Sequence, residues 1–301
     1  MIQLQSAKLS WLKRVGYTLV VVGVVSLGIV FWPKTGALSP WSPGRIIDDN
    51  VFYDTNTFSS VQDIQNFINS HTPACDTWGT GPSEYGGGTR AQYAAKRGWH
   101  GPPYACLRDY HENPSTKETS FERGGGWFAG GLSVANIIWN VSKEFGINPQ
   151  VMLVTLKKEQ GSLFTDVWPL KSQYKYAMGF ACPDSGPGNT ANCSNEYAGM
   201  YNQLRMAARQ FRLYTNRPGE YRYKAGRSNY IQYNTNVACG GSWVYIENQA
   251  TANLYNYTPY QPNQGALNAY PGTAHCGAYG NRNFWRFFNE WFGSTINNSS
   301  M

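Results

Sequence analysis

Charge is scarce in this chain: Asp, Glu, Lys and Arg make up only 14% of its 301 residues. Histidine is scarcer still, with four residues dispersed at His71, His100, His111 and His275. No Ser/His/Asp or Cys/His arrangement can be assembled from that scatter, which makes a stem-peptide amidase or peptidase the weaker enzyme reading. There is no C-x-x-C and no paired-histidine spacing. A zinc site is therefore disfavoured, and neither a metal nor a cofactor is expected. No concentrated basic run occurs, which argues against nucleic acid as a partner. Internal repeats are absent too, and uncharged, predominantly apolar runs long enough to cross a bilayer are missing with one exception.

That exception is Val15 to Trp32, eighteen positions without a charge and mostly Val, Leu, Ile and Gly. At 1.5 Å per residue it just covers a hydrocarbon core of about 30 Å. Lys8, Lys13 and Arg14 precede it and Pro33 ends it. This asymmetry predicts a transmembrane helix with the N-terminus inside and residues 33 onward outside the cell membrane. A cleaved signal peptide is the alternative, with the protein then secreted. The apolar stretch is long for one, and Gly36 and Ala37 make a poor cleavage site. A buried core helix would show a polar face, and this run has none.

What the chain does contain fits an extracytoplasmic domain. Six cysteines, Cys75, Cys106, Cys182, Cys193, Cys239 and Cys276, lie beyond the apolar run. They form an even set on the side where disulfides persist. Fifteen pairings are open; nearest neighbours are expected to join, because each such pair closes one Gly/Pro/Asn-rich loop. Aromatics reach 15%, a composition suited to gripping sugars or polymers. Setting aside the three N-terminal positive charges, the outer part carries about +4, mildly suited to an anionic envelope polymer.

Local patterning predicts a mainly α fold with a small β and loop-rich part. Residues 1–32 read as cytoplasmic stub and anchor, 33–126 as linker and small N-terminal subdomain, and 127–301 as the main domain. Pro33 to Pro43 reads as an extended spacer. A helix is expected from Ser59 or Ser60, with Val61, Ile64, Phe67 and Ile68 on one face and Asp63 in the first turn. Residues 73–126 read as loops. Leu132, Ala135, Ile138, Val141 and Phe145 predict an amphipathic helix stopping near Gly146. Asn148 and Pro149 then serve as N-cap and first position of a second helix that ends near Gly161. Later helices are expected over Tyr197–Tyr214 and Asn283–Phe292, with short strands or an ordered loop over Tyr221–Asn263.

Within the second helix, Glu159 shares a face with Met152, Thr155 and Leu156. Desolvation and the negative helix end both disfavour its anion, as a general acid near neutral pH requires. The plain alternative is a surface glutamate paired with Lys157, Lys158 or Gln160. Periodicity leaves both open.

The stretch from Phe145 through Asn148-Pro149 to Lys157-Lys158-Glu159-Gln160-Gly161-Ser162 resembles the start of the catalytic core in the lysozyme-like superfamily of lytic transglycosylases and goose-type lysozymes. There a helix opening at Asn-Pro or Asp-Pro ends on the catalytic Glu. The following residue is usually Ser and is Gln160 here. Ala177-Met178-Gly179-Phe180 resembles that family's loop lining the saccharide cleft. Four further stretches, Gly179–Asp184, Val244–Thr251, Tyr255–Asn263 and Ala278–Trp285, resemble secreted actinobacterial proteins labelled haemagglutinin or hypothetical.

The resemblance implies a lysozyme-like α+β domain, disulfide-stapled, behind one transmembrane helix. It also implies a peptidoglycan glycan-strand cleaving enzyme, of lytic transglycosylase or muramidase type, with Glu159 catalytic. Gln160, Met178, Gly179, Phe180 and Tyr257 would bind substrate. A hydrolase needs a second carboxylate, for which Asp184 and Asp166 are the candidates. Asp184 follows the Cys182-Pro183 turn and reads more plainly as an Asx-turn residue, and Asp166 could equally be a solvated loop charge. Tyr255, Tyr257, Tyr260, Trp243 and Trp285 are further sugar-stacking candidates, although most aromatics must be core. The expected partners are peptidoglycan or another envelope glycan, and the membrane. The competing class is a non-catalytic wall-binding or adhesion protein on the same fold.

Overall fold

The structure, a computed structural model, describes residues 40–183, 185–187 and 190–297. The apolar run Val15–Trp32 and Asp184 lie outside the described residues. No helix among the described residues is long and apolar enough to cross a membrane.

The fold is mainly helical with two small antiparallel sheets. Chain order gives α1 (Asp49–Phe52), α2 (Val61–His71), α3 (Arg90–Lys96), β1 (His111–Glu112), β2 (Leu132–Ser133), α4 (Val134–Phe145) and α5 (Pro149–Glu159). There follow α6 (Lys171–Lys175), α7 (Met200–Asn216), β3 (Arg227–Gln232), β4 (Gly241–Ile246), α8 (Gln249–Tyr257), α9 (Gln264–Asn268) and α10 (Gly280–Phe292). Helix α5 is the central rod, with α4 and α10 packed against it; α7 and α2 pack on α4, and α8 on α7.

Local chemistry explains the starts and stops. The Ser60 hydroxyl accepts from Asp63 N and opens α2. Ser133 and Asn136 form a reciprocal capping box for α4, and Gly146 ends that helix at φ 64°, a left-handed conformation that glycine adopts without a Cβ penalty. Asn148 caps α5 through Gln150 N, and its side-chain amide donates to Val51 O at 2.7 Å, tying the start of the central helix to α1. An isolated eleven-residue helix is marginal in water. Complete burial of Ile64 and Ile68 in the shared core holds α2, at roughly 1.5–3 kcal/mol for each side chain.

Several elements differ from the sequence reading. Leu132 pairs with Glu112 in the β1–β2 ladder rather than opening α4. Helix α3 lies within the expected loop region, capped by the Thr89–Gln92 box. Helix α8 lies within the segment read as strands or loop. Residues 250–255 of α8 are all buried, so no amphipathic period marks it. The same holds for α5, where residues 151–156 are buried on every side rather than along one stripe. Helix α7 begins at Met200, because Glu112 supplies its cap: the 1%-exposed carboxylate accepts from Tyr201 N at 3.2 Å and from the Tyr110 hydroxyl at 2.9 Å. Burial pushes the Glu112 carboxyl above the usual glutamate value despite these bonds. Gly199, at φ 101°, leaves room for it, since a Cβ there would sit 2.7 Å from Oε1.

The β3–β4 ladder runs in register from Arg227↔Ile246 to Gln232↔Gly241. Period-two alternation buries Asn229, Ile231, Val244 and Ile246 and exposes Tyr230, Trp243 and Tyr245. Three disulfides, Cys75–Cys106, Cys182–Cys193 and Cys239–Cys276, join sequence neighbours and fit an extracellular protein.

Candidate functional site

Glu159 is the last residue of α5, so it emerges where the rod leaves the core. Its side chain is 28% exposed, in contrast to the fully buried Met152 and Leu156. The carboxylate meets the Lys158 ammonium at 2.6 Å. Lys158 is itself nearly enclosed: its Nζ also donates to Thr258 Oγ1 at 2.7 Å and lies 5.1 Å from the Tyr257 ring centroid. Of the three pairings open to a surface glutamate, the one with Lys158 is made. Lys157 turns instead toward Gly161 O and the Phe164 ring.

The loop after α6 faces this carboxylate. Gly179 sits at φ 66°, and a Cβ added there would be 3.4 Å from Glu159 Oε2. Met178 is fully buried, so its side chain anchors the loop while its carbonyl accepts the Tyr257 hydroxyl at 2.6 Å. Burial, with the Glu159 charge adding to it, pushes the Tyr257 phenol well above its usual value, which keeps it a neutral donor. Gln203 of α7 holds the loop from the other side. Its Oε1 accepts from Met178 N at 3.3 Å and Phe180 N at 3.1 Å, and its Nε2 donates to Phe180 O and Tyr197 O.

Gly179, Phe180 and Tyr257, with Gln210 and Tyr214 of α7, line a shallow hollow of about 430 Å³. Its outer lip is the Cys182–Cys193 turn. Gln160 caps α5 through its backbone N–H to Leu156 O. Thus Glu159, Gly179 and Tyr257 are brought together, with Phe180 beside them.

The other candidates lie elsewhere. Asp166 lines a different hollow, and both its oxygens are engaged, Oδ1 by Trp168 N and Oδ2 by Gln173 Nε2. Tyr255 is buried with its hydroxyl on Pro43 O, and Trp285 is buried against Trp41. Tyr260 is half-buried, and Trp243 stands exposed on β4.

Gln203 was not singled out from the sequence, and Lys158 only as one of three pairing partners for Glu159. For Gln203 a signal existed, because it falls between Met200 and Leu204 on the apolar face of α7, where an amide needs partners. No family model, curated protein or solved structure matches the chain, so the lysozyme-like resemblance rests on the residues quoted for it.

Proposed function

We propose that this protein cleaves envelope glycan strands, peptidoglycan being the polymer the resemblance implies, with Glu159 as general acid on a lysozyme-like fold. The observation that carries the reading is the placement of the Glu159 carboxylate at the open end of α5, 3.4 Å from where a Cβ on Gly179 would sit, Gly179 being a residue that lines a solvent-facing hollow. A carboxyl so placed reaches ligand on one side and is fixed by the core on the other.

The chemistry consistent with this site needs one carboxyl. Glu159 delivers a proton to the glycosidic oxygen as that bond breaks. The muramic acid 6-hydroxyl attacks the anomeric carbon and gives its proton back to Glu159, leaving an anhydro end. Before this, Lys158 must yield its hold on the carboxylate, and Thr258 Oγ1 offers the ammonium a second anchor. Hydrolysis would require a carboxylate roughly 5–5.5 Å from the first if retaining, or about 6.5–9.5 Å if inverting. Asp166 is already committed to Trp168 and Gln173.

A second reading, a non-catalytic wall-binding module, is favoured by the Lys158–Glu159 ion pair, which neutralises the carboxylate in place. Wall digestion with full-length protein separates the two. The enzyme should release fragments one water lighter than reducing-end products, and Glu159→Gln should slow release by about a hundredfold to ten-thousandfold while wall binding persists. Wild-type protein of verified fold that releases nothing from several wall types would leave the binding reading. Val15–Trp32 is proposed as the anchor, so protease added to intact spheroplasts should digest the domain beyond it.

A further inference from the structure

We propose that the hollow of about 450 Å³ between the Cys75–Cys106 loop and residues 162–173 is a separate glycan-binding subsite, seating a neutral sugar ring on aromatic faces. The choice of ligand class rests on the glycan reading of Glu159; the architecture of the site does not.

The platform is built around Trp168, which is 4% exposed. Tyr93 and Trp99 lie with ring centroids 6.3 Å from it, and Tyr85 lies at 6.5 Å. Two of these rings remain open to solvent, Tyr85 at 65% and Trp99 at 40%. Rigid flat rings give contact area at little entropic cost, and the C–H face of a pyranose matches them.

Polar groups around the platform are ordered before any ligand arrives. Trp168 Nε1 donates to Glu84 Oε1 at 2.8 Å, and Arg90 Nε donates to Glu84 Oε2 at 3.3 Å. Burial pushes the Glu84 carboxyl up, but the bonds from Trp168 and Arg90 outweigh it and hold the group below the usual glutamate value. Gln173 Nε2 bridges Asp166 Oδ2 and Ser162 Oγ. Each carboxylate oxygen keeps a lone pair for a hydroxyl donor. Two carboxylates repel phosphates and carboxylates, so an anionic ligand does not fit. A cation is the competitor, since aromatic faces with acidic neighbours also attract ammonium groups. Here Arg90 already opposes the Glu84 charge and also pairs with Asp76. Hydroxyl donors on a neutral ring suit these acceptors better.

Ser162 is three residues beyond Glu159, so chain geometry keeps the two Cα atoms within about 11 Å. The Ser162 edge of the hollow thereby lies near Glu159.

The test is calorimetric titration of full-length protein with chitotetraose, the β-1,4-linked N-acetylglucosamine tetramer. Tyr85→Ala and Trp99→Ala should each weaken binding at least tenfold with unchanged circular dichroism. Trp99→Phe should restore most of the affinity, Val237→Ala, an exposed position outside the hollow, should bind as wild type, and excess tetramethylammonium should not compete. No binding by wild type, full affinity in both alanine variants, loss in Val237→Ala, or competition by tetramethylammonium each overturns the subsite. Binding lost in both alanine variants while no wall is cleaved keeps the subsite and removes the catalytic reading. Cleavage with binding indifferent to Tyr85 and Trp99 does the reverse.

Discussion

Tyr257 donates its hydroxyl to the Met178 carbonyl at 2.6 Å, joining the last residue of α8 to the loop that lies against Glu159. Phe211 stacks on the same ring at 4.7 Å, so the phenol is held from the core side as well. Tyr257→Phe keeps that stacking and removes only the donor. A buried carbonyl left unpaired costs about 1–3 kcal/mol. We expect a lowered melting temperature and reduced wall binding with unchanged far-ultraviolet dichroism; an unaltered melting curve would show that the bond does not hold the loop.

Gly179→Ala tests the loop from the opposite side. The residue sits at φ 66°, where an L side chain costs roughly 1–2 kcal/mol. Its new methyl would also come into van der Waals contact with Glu159 Oε2. Glycan release should fall more than stability does, and equal activity at matched folded fraction would exclude close contact between loop and carboxylate.

Gln203→Met conserves length and apolar packing in α7 but leaves Met178 N and Phe180 N without their acceptor. Each unpaired buried donor costs about 1–3 kcal/mol, so the total should rival the loss of a core side chain. Hydrogen exchange should show faster amides at 178 and 180 while α5 stays protected. Protection unchanged at both positions would mean that the loop is held by other contacts.

Glu112 supplies a pH signature. Its folded value is raised by burial, whereas the unfolded chain titrates at the ordinary value of about 4.5. Below that value both states hold the proton and the carboxyl contributes no pH dependence. As the pH rises through the raised folded value, the folded state binds more protons than the unfolded one, so stability is lost. Glu112→Gln keeps an acceptor for Tyr110 and Tyr201 N and removes the titration. The wild-type minus variant difference in unfolding free energy should therefore decline upward from about pH 4.5; a flat difference would contradict the assignment.

Much of the helical framework was legible in the sequence because it is decided within a few residues. Ser60 and Asp63, and Asn148 with Pro149, each act within three positions, and Gly146 ends α4 by its own backbone conformation. The nearest-neighbour cysteine pairs were legible for a related reason, each closing a short loop. Helix α8 was not, since burial all round erases the periodic stripe that reveals a helix. Periodicity left the setting of Glu159 open, because α5 is buried on every side through Leu156 while residue 159, at its end, is partly exposed and paired with Lys158.

By itself, then, the sequence determined the local disulfide loops, the caps at Ser60 and Asn148 and the carboxyl at the end of the Asn-Pro helix. Only the tertiary structure decided what surrounds that carboxyl. Tyr257 meets Met178 across 79 residues, Lys158 meets Thr258 across 100, and Trp168 meets Glu84 across 84. Such contacts leave no periodic trace along the chain, because they arise when separately formed helices and loops pack to bury their apolar faces, and the polar groups carried along take the partners that packing provides.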